Sequence, residues 1–175
     1  MREELEVKIR VDEPERVAES ILRIGGRHLS SVVEEDTYFG HPCRNFALTD
    51  EALRLRRSDG TVELTYKGPR AGGAGGTKSR TELTLRLQDP GAAAELLSAL
   101  GFVPVATVRK RRSYYRVSGA IVSIDAVEGL GNFVEVEAAD EGVGVEDLKS
   151  IVRGLGLAWE PVEETYLEMV LSSQK

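Results

Sequence analysis

From Glu4 to Val11 the chain alternates charge with hydrocarbon: Glu4, Glu6, Lys8 and Arg10 interleave with Leu5, Val7, Ile9 and Val11. Successive side chains of a β-strand point to opposite faces, so this stretch predicts a strand with one face to bury and one face of mixed charge. On a lone strand the charged face would be the watered side of an antiparallel sheet. Five later segments repeat the pattern, and that recurrence asks for one destination for all those charges. The spacing already suggests chemistry. Carboxylates at i and i+2 are neighbours on one face and can share a hard cation, and the lysine two residues on can meet that cation's anionic partner.

After this strand, Asp12 is the expected N-cap of a helix with Pro14 and Glu15 in its first turn, apolar spacing through Val17, Ala18, Ile21 and Leu22, and a stop at Gly25-Gly26. Residues 28–39 read as strand and residues 41–45 as an irregular connection, where His41 and Cys43 lack the second ligand pair of a tetrahedral zinc site. Leu53 to Arg57, the Ser58-Asp59-Gly60 turn and Thr61 to Lys67 predict a hairpin with Arg54 and Arg56 sharing a face, as do Glu63, Thr65 and Lys67. The glycine-rich run from Gly68 to Ser79 invites a phosphate-loop reading. Thr77 separates Gly76 from Lys78, however, and a strand follows where a helix is required, so a lid-like hairpin loop is expected instead.

Ser79 to Gln88 alternates again, with Arg80, Glu82, Thr84 and Arg86 on one face. Asp89-Pro90 opens a helix running to about Leu100, with Ala93, Leu96, Leu97 and Leu100 as its predicted buried stripe. Val103 to Val117 is a long strand carrying Lys110, Arg112, Tyr114 and Arg116 on one face, while Arg109 and Arg111 fall on the other. Two further strands follow, from Ala120 to Asp125 and from Asn132 to Ala138, then a helix from Gly144 to near Gly154. Periodicity does not decide between helix and strand for the segment from Glu163 to Leu171.

Collected, the charge-bearing faces carry Glu4, Glu6, Lys8, Arg54, Arg56, Lys67, Arg80, Glu82, Lys110, Arg112, Asp125, Glu135 and Glu137, seven basic and six acidic. About eight antiparallel strands can close around a lumen that just holds one small ligand. The predicted fold is α+β: a closed or nearly closed eight-stranded antiparallel β-barrel, a tunnel with charge inside and helices flanking its apolar outside. Residues 1–175 form a single domain on this reading. The competing architecture is a sandwich with salt-bridged, solvated faces. A lumen of mixed sign suits an elongated polyanion, with Arg and Lys gripping phosphate oxygens and carboxylates holding divalent metal bridged to the same phosphates. Magnesium suits all-oxygen ligation. A net charge of -6 and a pI near 5.1 argue against a nucleic-acid partner. No apolar run approaches a membrane span, so a cytoplasmic protein with no membrane partner is expected, with a homodimer compatible.

These residues also carry a resemblance. Glu4-x-Glu6-x-Lys8 is similar to the ExExK signature of the CYTH superfamily, the triphosphate tunnel metalloenzymes. Asp36-Thr37-Tyr38-Phe39, Leu53-Arg54-Leu55-Arg56, Thr65-Tyr66-Lys67-Gly68-Pro69, Arg80-x-Glu82, Val108-x-Lys110-x-Arg112 and the block from Asp125 through Glu128-Gly129-Leu130-Gly131 to Glu137 resemble the same family in its order. Arg44-Asn45-Phe46 and the Asp125 to Glu137 block look most like its class IV adenylyl cyclase branch. That branch implies an eight-stranded tunnel, Mg2+ or Mn2+ as cofactor, and conversion of ATP to cyclic AMP and pyrophosphate. Other members hydrolyse inorganic, thiamine or nucleoside triphosphates with nearly the same lumen, and a non-catalytic polyphosphate- or nucleotide-binding module is a third possibility. Glu4, Glu6, Glu135 and Glu137 are then the expected metal ligands, with Asp125, Asp36 and Glu82 as further ligands or as groups orienting the cations. Arg54, Arg56, Lys67, Arg80, Lys110 and Arg112 are the expected triphosphate ligands. Lys8 is expected as phosphate ligand or proton acceptor, and Lys8 and Asp125 as the catalytic groups.

Overall fold

The first strand, β1 (Arg2–Val11), has partners along both edges, and this sets the architecture. The computed structural model describes residues 2–72 and 78–173, and of residues 2–4, 71, 72, 78 and 79 it describes the backbone alone. After β1 come α1 (Pro14–Arg23), β2 (Arg27–Gly40), the single-turn α2 (Phe46–Thr49) and a hairpin of β3 (Ala52–Ser58) and β4 (Thr61–Lys67). The two-residue β5 (Ala71–Gly72), β6 (Lys78–Leu87) and α3 (Pro90–Ala99) follow, then β7 (Val103–Val117), β8 (Ala120–Val127), β9 (Gly131–Ala138), α4 (Val145–Gly154) and α5 (Tyr166–Ser173). Asp59 and Gly60, at φ 37° and 81°, turn β3 into β4, and Ser118 and Gly119, at φ 44° and 81°, turn β7 into β8. Paired positive φ values of this kind match the right-handed twist of the flanking strands.

Antiparallel ladders order the strands β1-β9-β8-β7-β2-β3-β4-β6, with β5 attached to β6. On β1, β9 takes Glu6 to Val11 and β6 takes Arg2 to Glu6, so the two ladders overlap only at Glu6. Past that point the remaining edge of β1 meets a bridge from Ile9 to Pro161 and a 2.8 Å hydrogen bond donated by Val162 N to Lys8 O. The eight-stranded antiparallel sheet with flanking helices is as expected. Closure by strand ladders alone is not, since a non-strand segment covers β1 over part of its length.

The pleat separates three apolar clusters. Val7, Ile9, Val122, Val134 and Val136 pack outward against Val17 and Ile21 of α1 and Leu148, Ile151 and Val152 of α4. Phe39, Leu53, Leu55 and Val62 pack against Leu97 of α3. The third cluster puts Val108, Val127 and Phe133 under Tyr166 and Met169 of α5. By strand parity these three share the inward faces with Lys110, Asp125 and Glu135, so α5 covers the apolar end of the enclosed space. Full burial of each such side chain contributes about 1.5–3 kcal/mol.

Local details depart from the sequence expectations. Glu13, not Asp12, occupies the N-cap of α1, without a side-chain cap bond, because Pro14 opens the helix one residue later. Helix α3 starts as expected, with Asp89 Oδ1 accepting from Gly91 N at 2.8 Å and Ala92 N at 3.0 Å. Its stripe differs, since Leu96 and Leu100 are 62% and 60% exposed while Leu97 is buried with Ala93 and Ala94 beside it. Two adjacent alanines let the helix lie on the sheet along their side, which turns Leu96 and Leu100 away. The untyped segment near the C-terminus is helical from Tyr166, and its start carries a Thr165–Glu168 capping box: Glu168 Oε2 accepts from Thr165 N at 2.6 Å and Thr165 Oγ1 from Glu168 N at 3.2 Å. Residues 73–77 of the expected lid, five of its twelve, lie outside the described residues. Among the described residues no helix is long and apolar enough to cross a membrane.

Candidate active site

The inward faces enclose a cavity of about 270 Å³. Eleven of the thirteen expected lumen residues line it: Glu6, Lys8, Arg54, Arg56, Lys67, Arg80, Glu82, Lys110, Arg112, Glu135 and Glu137, joined by Asp36. Of the other two, the side chain of Glu4 lies outside the described residues, and Asp125 is fully buried away from the cavity surface. Register explains the gathering. Lys8 and Glu135, Asp36 and Arg56, Glu34 and Lys110, Lys67 and Glu82, and Arg112 and Asp125 are each direct cross-strand partners. Opposite charges at such positions attract across the ladder.

The wall made by β2, β3 and β7 is a buried ion network. Asp36 accepts from Arg56 Nε at 2.6 Å, Arg56 Nη2 at 2.7 Å and Lys110 Nζ at 2.9 Å. Glu34 stands 3.0 Å from both Arg56 Nη2 and Lys110 Nζ and accepts from Tyr114 OH at 2.5 Å. Burial alone would raise both carboxyls. The charges of Arg54 and Lys110 and the hydrogen bond from Arg56 outweigh it and hold Asp36 well below the usual carboxylate range, and Lys110 and Arg56 lower Glu34 in the same way. Asp36 is thus ion-paired with both Arg56 and Lys110 in the cavity wall. Glu34 was not among the expected site residues, although strand parity with Asp36 puts it on the same face.

Arg112 reaches deeper. Its Nε donates to Asp125 Oδ1 at 2.5 Å, and its Nη2 donates to Asp125 Oδ2 and Glu135 Oε2. Tyr166 OH closes the set with a 2.7 Å bond to Asp125 Oδ2. Asp125 is therefore the bidentate partner of Arg112, set behind the cavity lining. Tyr166 is a second residue that sequence reasoning missed, and the Thr165-x-x-Glu168 box is the signal that would have found its helix.

Arg54 differs from these cations. Among the described residues its one ion contact is with Asp36, at 3.9 Å, and its buried Nε has no hydrogen-bond acceptor. A buried donor without a partner is costly, so this side of the cavity is short of an anion. Lys67 is ion-paired with Glu82, and Arg80 Nη2 lies 3.6 Å from Asp50.

Along β1 and β9 the arrangement changes sign. Glu6 and Glu137 are direct cross-strand partners of like charge, both facing the cavity. Glu135 is held by Arg112, and although burial would raise its carboxyl, Arg112, Lys8 and Lys110 lower it well below its ordinary value. Lys8 is buried with its Nζ 4.3 Å from the centre of the Tyr166 ring, and burial lowers its pKa against the opposing pull of Glu135 and Glu6. Among the described residues no three acidic, His or Cys side chains converge as a preformed metal cage. Two facing carboxylates still fit magnesium, which binds through one or two carboxylates plus substrate phosphates and retains water.

Comparison with other proteins agrees with this geometry. The chain is 33% identical over 172 residues to MJ0240 of Methanocaldococcus jannaschii, whose name assigns it provisionally as an adenylate cyclase; the match covers 95% of this chain and 97% of that one. It is 29% identical over 137 residues to the adenylate cyclase CyaB of Aeromonas hydrophila, covering 74% and 68% of the two chains. The solved structure of the PH1819 protein from Pyrococcus horikoshii OT3 superposes with a TM-score of 0.86 at 36% identity, over 97% of this chain and 99% of that one. The sequence profile of the CYTH domain matches residues 2–157. An antiparallel sheet curled around a cavity of paired charges, with a match running nearly the length of the chain, makes this protein a member of the CYTH domain family.

Proposed function

We propose that residues 1–175 form one triphosphate tunnel domain that converts ATP to cyclic AMP and pyrophosphate with Mg2+ or Mn2+. The observation that carries this reading is the buried Nε of Arg54, unpartnered among the described residues, in a cavity lined by both basic residues and the Glu6–Glu137 pair. A triphosphate answers the first, and two carboxylates on neighbouring strands suit a cation bridged to that triphosphate. Arg54, Arg56, Lys67, Arg80, Lys110 and Arg112 bind the phosphate oxygens, held in place by Asp36, Glu34, Glu82 and Asp125. Glu6 and Glu137 hold the metal, with Glu4 the further ligand expected from β1 and Glu135 engaged by Arg112. When bound, the metal neutralises phosphate charge and acidifies the attacking hydroxyl.

The reaction is an in-line displacement. The ribose 3′-oxygen forms a bond to the α-phosphorus while the bond from that phosphorus to the α,β-bridging oxygen breaks, and the electron pair departs with pyrophosphate. The 3′-hydroxyl proton must be taken up, and Lys8, between the acidic pair and Tyr166, is placed to accept it or to contact a phosphate oxygen. The names of the MJ0240 and CyaB relatives support cyclisation over hydrolysis. Incubation of the purified protein with Mg2+ or Mn2+ and, separately, ATP, inorganic triphosphate and thiamine triphosphate, with chromatography of the products, tests it. Cyclic AMP with equimolar pyrophosphate is the expected result. Orthophosphate would make the protein a triphosphatase, and binding without turnover would make it a binding module.

A further inference from the structure

Helix α5 brings one side chain against three charged residues of the site, and it does so past residue 157, where the match to the CYTH domain profile ends. Tyr166 is the first residue of that helix and lines the cavity. Its hydroxyl donates to Asp125 Oδ2 at 2.7 Å, and its ring centre lies 4.3 Å from Lys8 Nζ and 5.6 Å from Lys110 Nζ. Both ammoniums are close enough for the ring quadrupole to attract them. Phe133 packs against the same ring edge to face, at 5.1 Å between centroids. The turn that presents Tyr166 is itself pinned. Thr165 and Glu168 cap it, Arg70 Nη2 donates to Glu168 Oε1 at 2.8 Å, and Arg70 Nε donates to Asp50 Oδ2 at 2.9 Å.

We infer that Tyr166 is a positioning residue of the triphosphate site, its hydroxyl fixing Arg112 through Asp125 and its ring seating the ammoniums of Lys8 and Lys110. The inference rests on the triphosphate reading of the cavity. Asp125 is fully buried and accepts from Arg112 Nε, Arg112 Nη2 and the Tyr166 hydroxyl. A buried carboxylate held by donors from two sides has little freedom to rotate, so the guanidinium bound to it bidentately keeps one orientation toward the cavity. The ring acts on the two lysines differently. Lys110 is also held by Glu34 and Asp36, at 3.0 and 2.9 Å. Among the described residues Lys8 forms no ion pair, although it is buried, and the face of Tyr166 is what seats it. An aromatic face stabilises a desolvated ammonium without occupying its N–H donors as a carboxylate would, which leaves them for the oxygens of an arriving phosphate.

Two substitutions separate the hydroxyl from the ring. Tyr166→Phe keeps the ring and removes the bond to Asp125, whereas Tyr166→Leu removes both. Met169→Ala takes hydrocarbon from the same apolar cluster at a position outside the cavity lining, and so controls for loosened packing. Solvent exchange of the Arg112 Nε proton would be followed by NMR in the ligand-free chains, and the affinity for inorganic triphosphate with Mg2+ by calorimetry, both below the unfolding transition of every variant. Tyr166→Phe is expected to speed the exchange about tenfold and to weaken triphosphate about threefold, within the range for loss of one hydrogen bond. Tyr166→Leu should weaken triphosphate at least about tenfold, since the cation–ring attraction goes as well. Met169→Ala should leave both readouts within about twofold of the parent, less than the loss of a single hydrogen bond would give. Unchanged affinity in both Tyr166 variants would overturn the inference. An equal loss in Met169→Ala would make Tyr166 a packing residue, and a loss without faster Arg112 exchange in Tyr166→Phe would make it a direct ligand; either result overturns the positioning role. Neither readout needs turnover, so absence of cyclic AMP from the parent would overturn the cyclisation alone, while failure of the parent to bind triphosphate would overturn both.

Discussion

The β2–β3–β7 wall of the cavity and the β1–β9 wall handle charge in opposite ways. On the first, Glu34 and Asp36 are 2% and 1% exposed and lie against Arg56 and Lys110, so the chain supplies its own counter-charges. On the second, two residues of like charge, Glu6 and Glu137, are direct cross-strand partners and both line the cavity. Buried carboxylates on the basic wall fix each guanidinium in place, which reduces the ordering cost when an anion arrives. The acidic wall is arranged for a cation that comes with that anion. The basic wall is thus a matter of stability as much as of binding.

Breaking the deepest pair should have the largest effect. Asp125→Ala strips Arg112 of a bidentate partner at a fully buried position, and unfolding in urea should show a loss of about 3–5 kcal/mol. Stability within 1 kcal/mol of the parent would mean that the pair is not the structural anchor described. Arg54→Ala comes next and should act on the ligand instead. Calorimetry with inorganic triphosphate should show affinity weakened by about 1.5–3 kcal/mol, with a smaller change in unfolding free energy, because among the described residues Arg54's only ion contact is at 3.9 Å.

Acid should loosen the basic wall. The folded state binds the protons of Asp36 and Glu34 more weakly than the unfolded chain does, so their contribution to stability is complete above the unfolded values of about 3.9 and 4.3 and is lost as pH falls below them. Urea midpoints measured from pH 6 down to 3 should fall, and a rising midpoint would contradict the network. The smallest effect is expected at Glu6→Gln, which removes one of two like charges and should leave metal-free stability within about 1 kcal/mol of the parent.

Much of this molecule is readable from residue order, for reasons that vary by element. Alternation in Glu4 to Val11 and in Val103 to Val117 types β1 and β7 and assigns their faces, since the strand period is local. Parity also brings Lys8, Lys110, Arg112, Glu135 and Glu137 into one cavity before any pairing is known. It does not reveal depth. Asp125 sits on an inward face, yet Arg112 and Tyr166 cover it, and only the fold shows that covering. Glu34 lies in a strand whose charges spread over both faces, Glu35 reaching Arg109 outside while Glu34 and Asp36 reach Lys110 inside, so no clean alternation marks it. The clasp in which Arg70 joins Asp50 to Glu168 ties two connections to the first turn of α5, all distant in sequence, and nothing periodic announces such a contact. Helix α3 shows the opposite failure, a clear apolar stripe of which Leu96 and Leu100 stay exposed.

The division of labour between the two walls is tested most directly by metal linkage in triphosphate binding. Calorimetric titration of inorganic triphosphate into the parent and into a Glu6→Gln, Glu137→Gln double variant would be run with Mg2+ and again with a chelator. The parent should bind at least about tenfold more tightly with Mg2+, a difference of about 1.4 kcal/mol, while the variant keeps its affinity in chelator and gains little from the metal. Equal affinity of the parent in Mg2+ and in chelator, or an undiminished metal effect in the double variant, would contradict the assignment of the acidic wall.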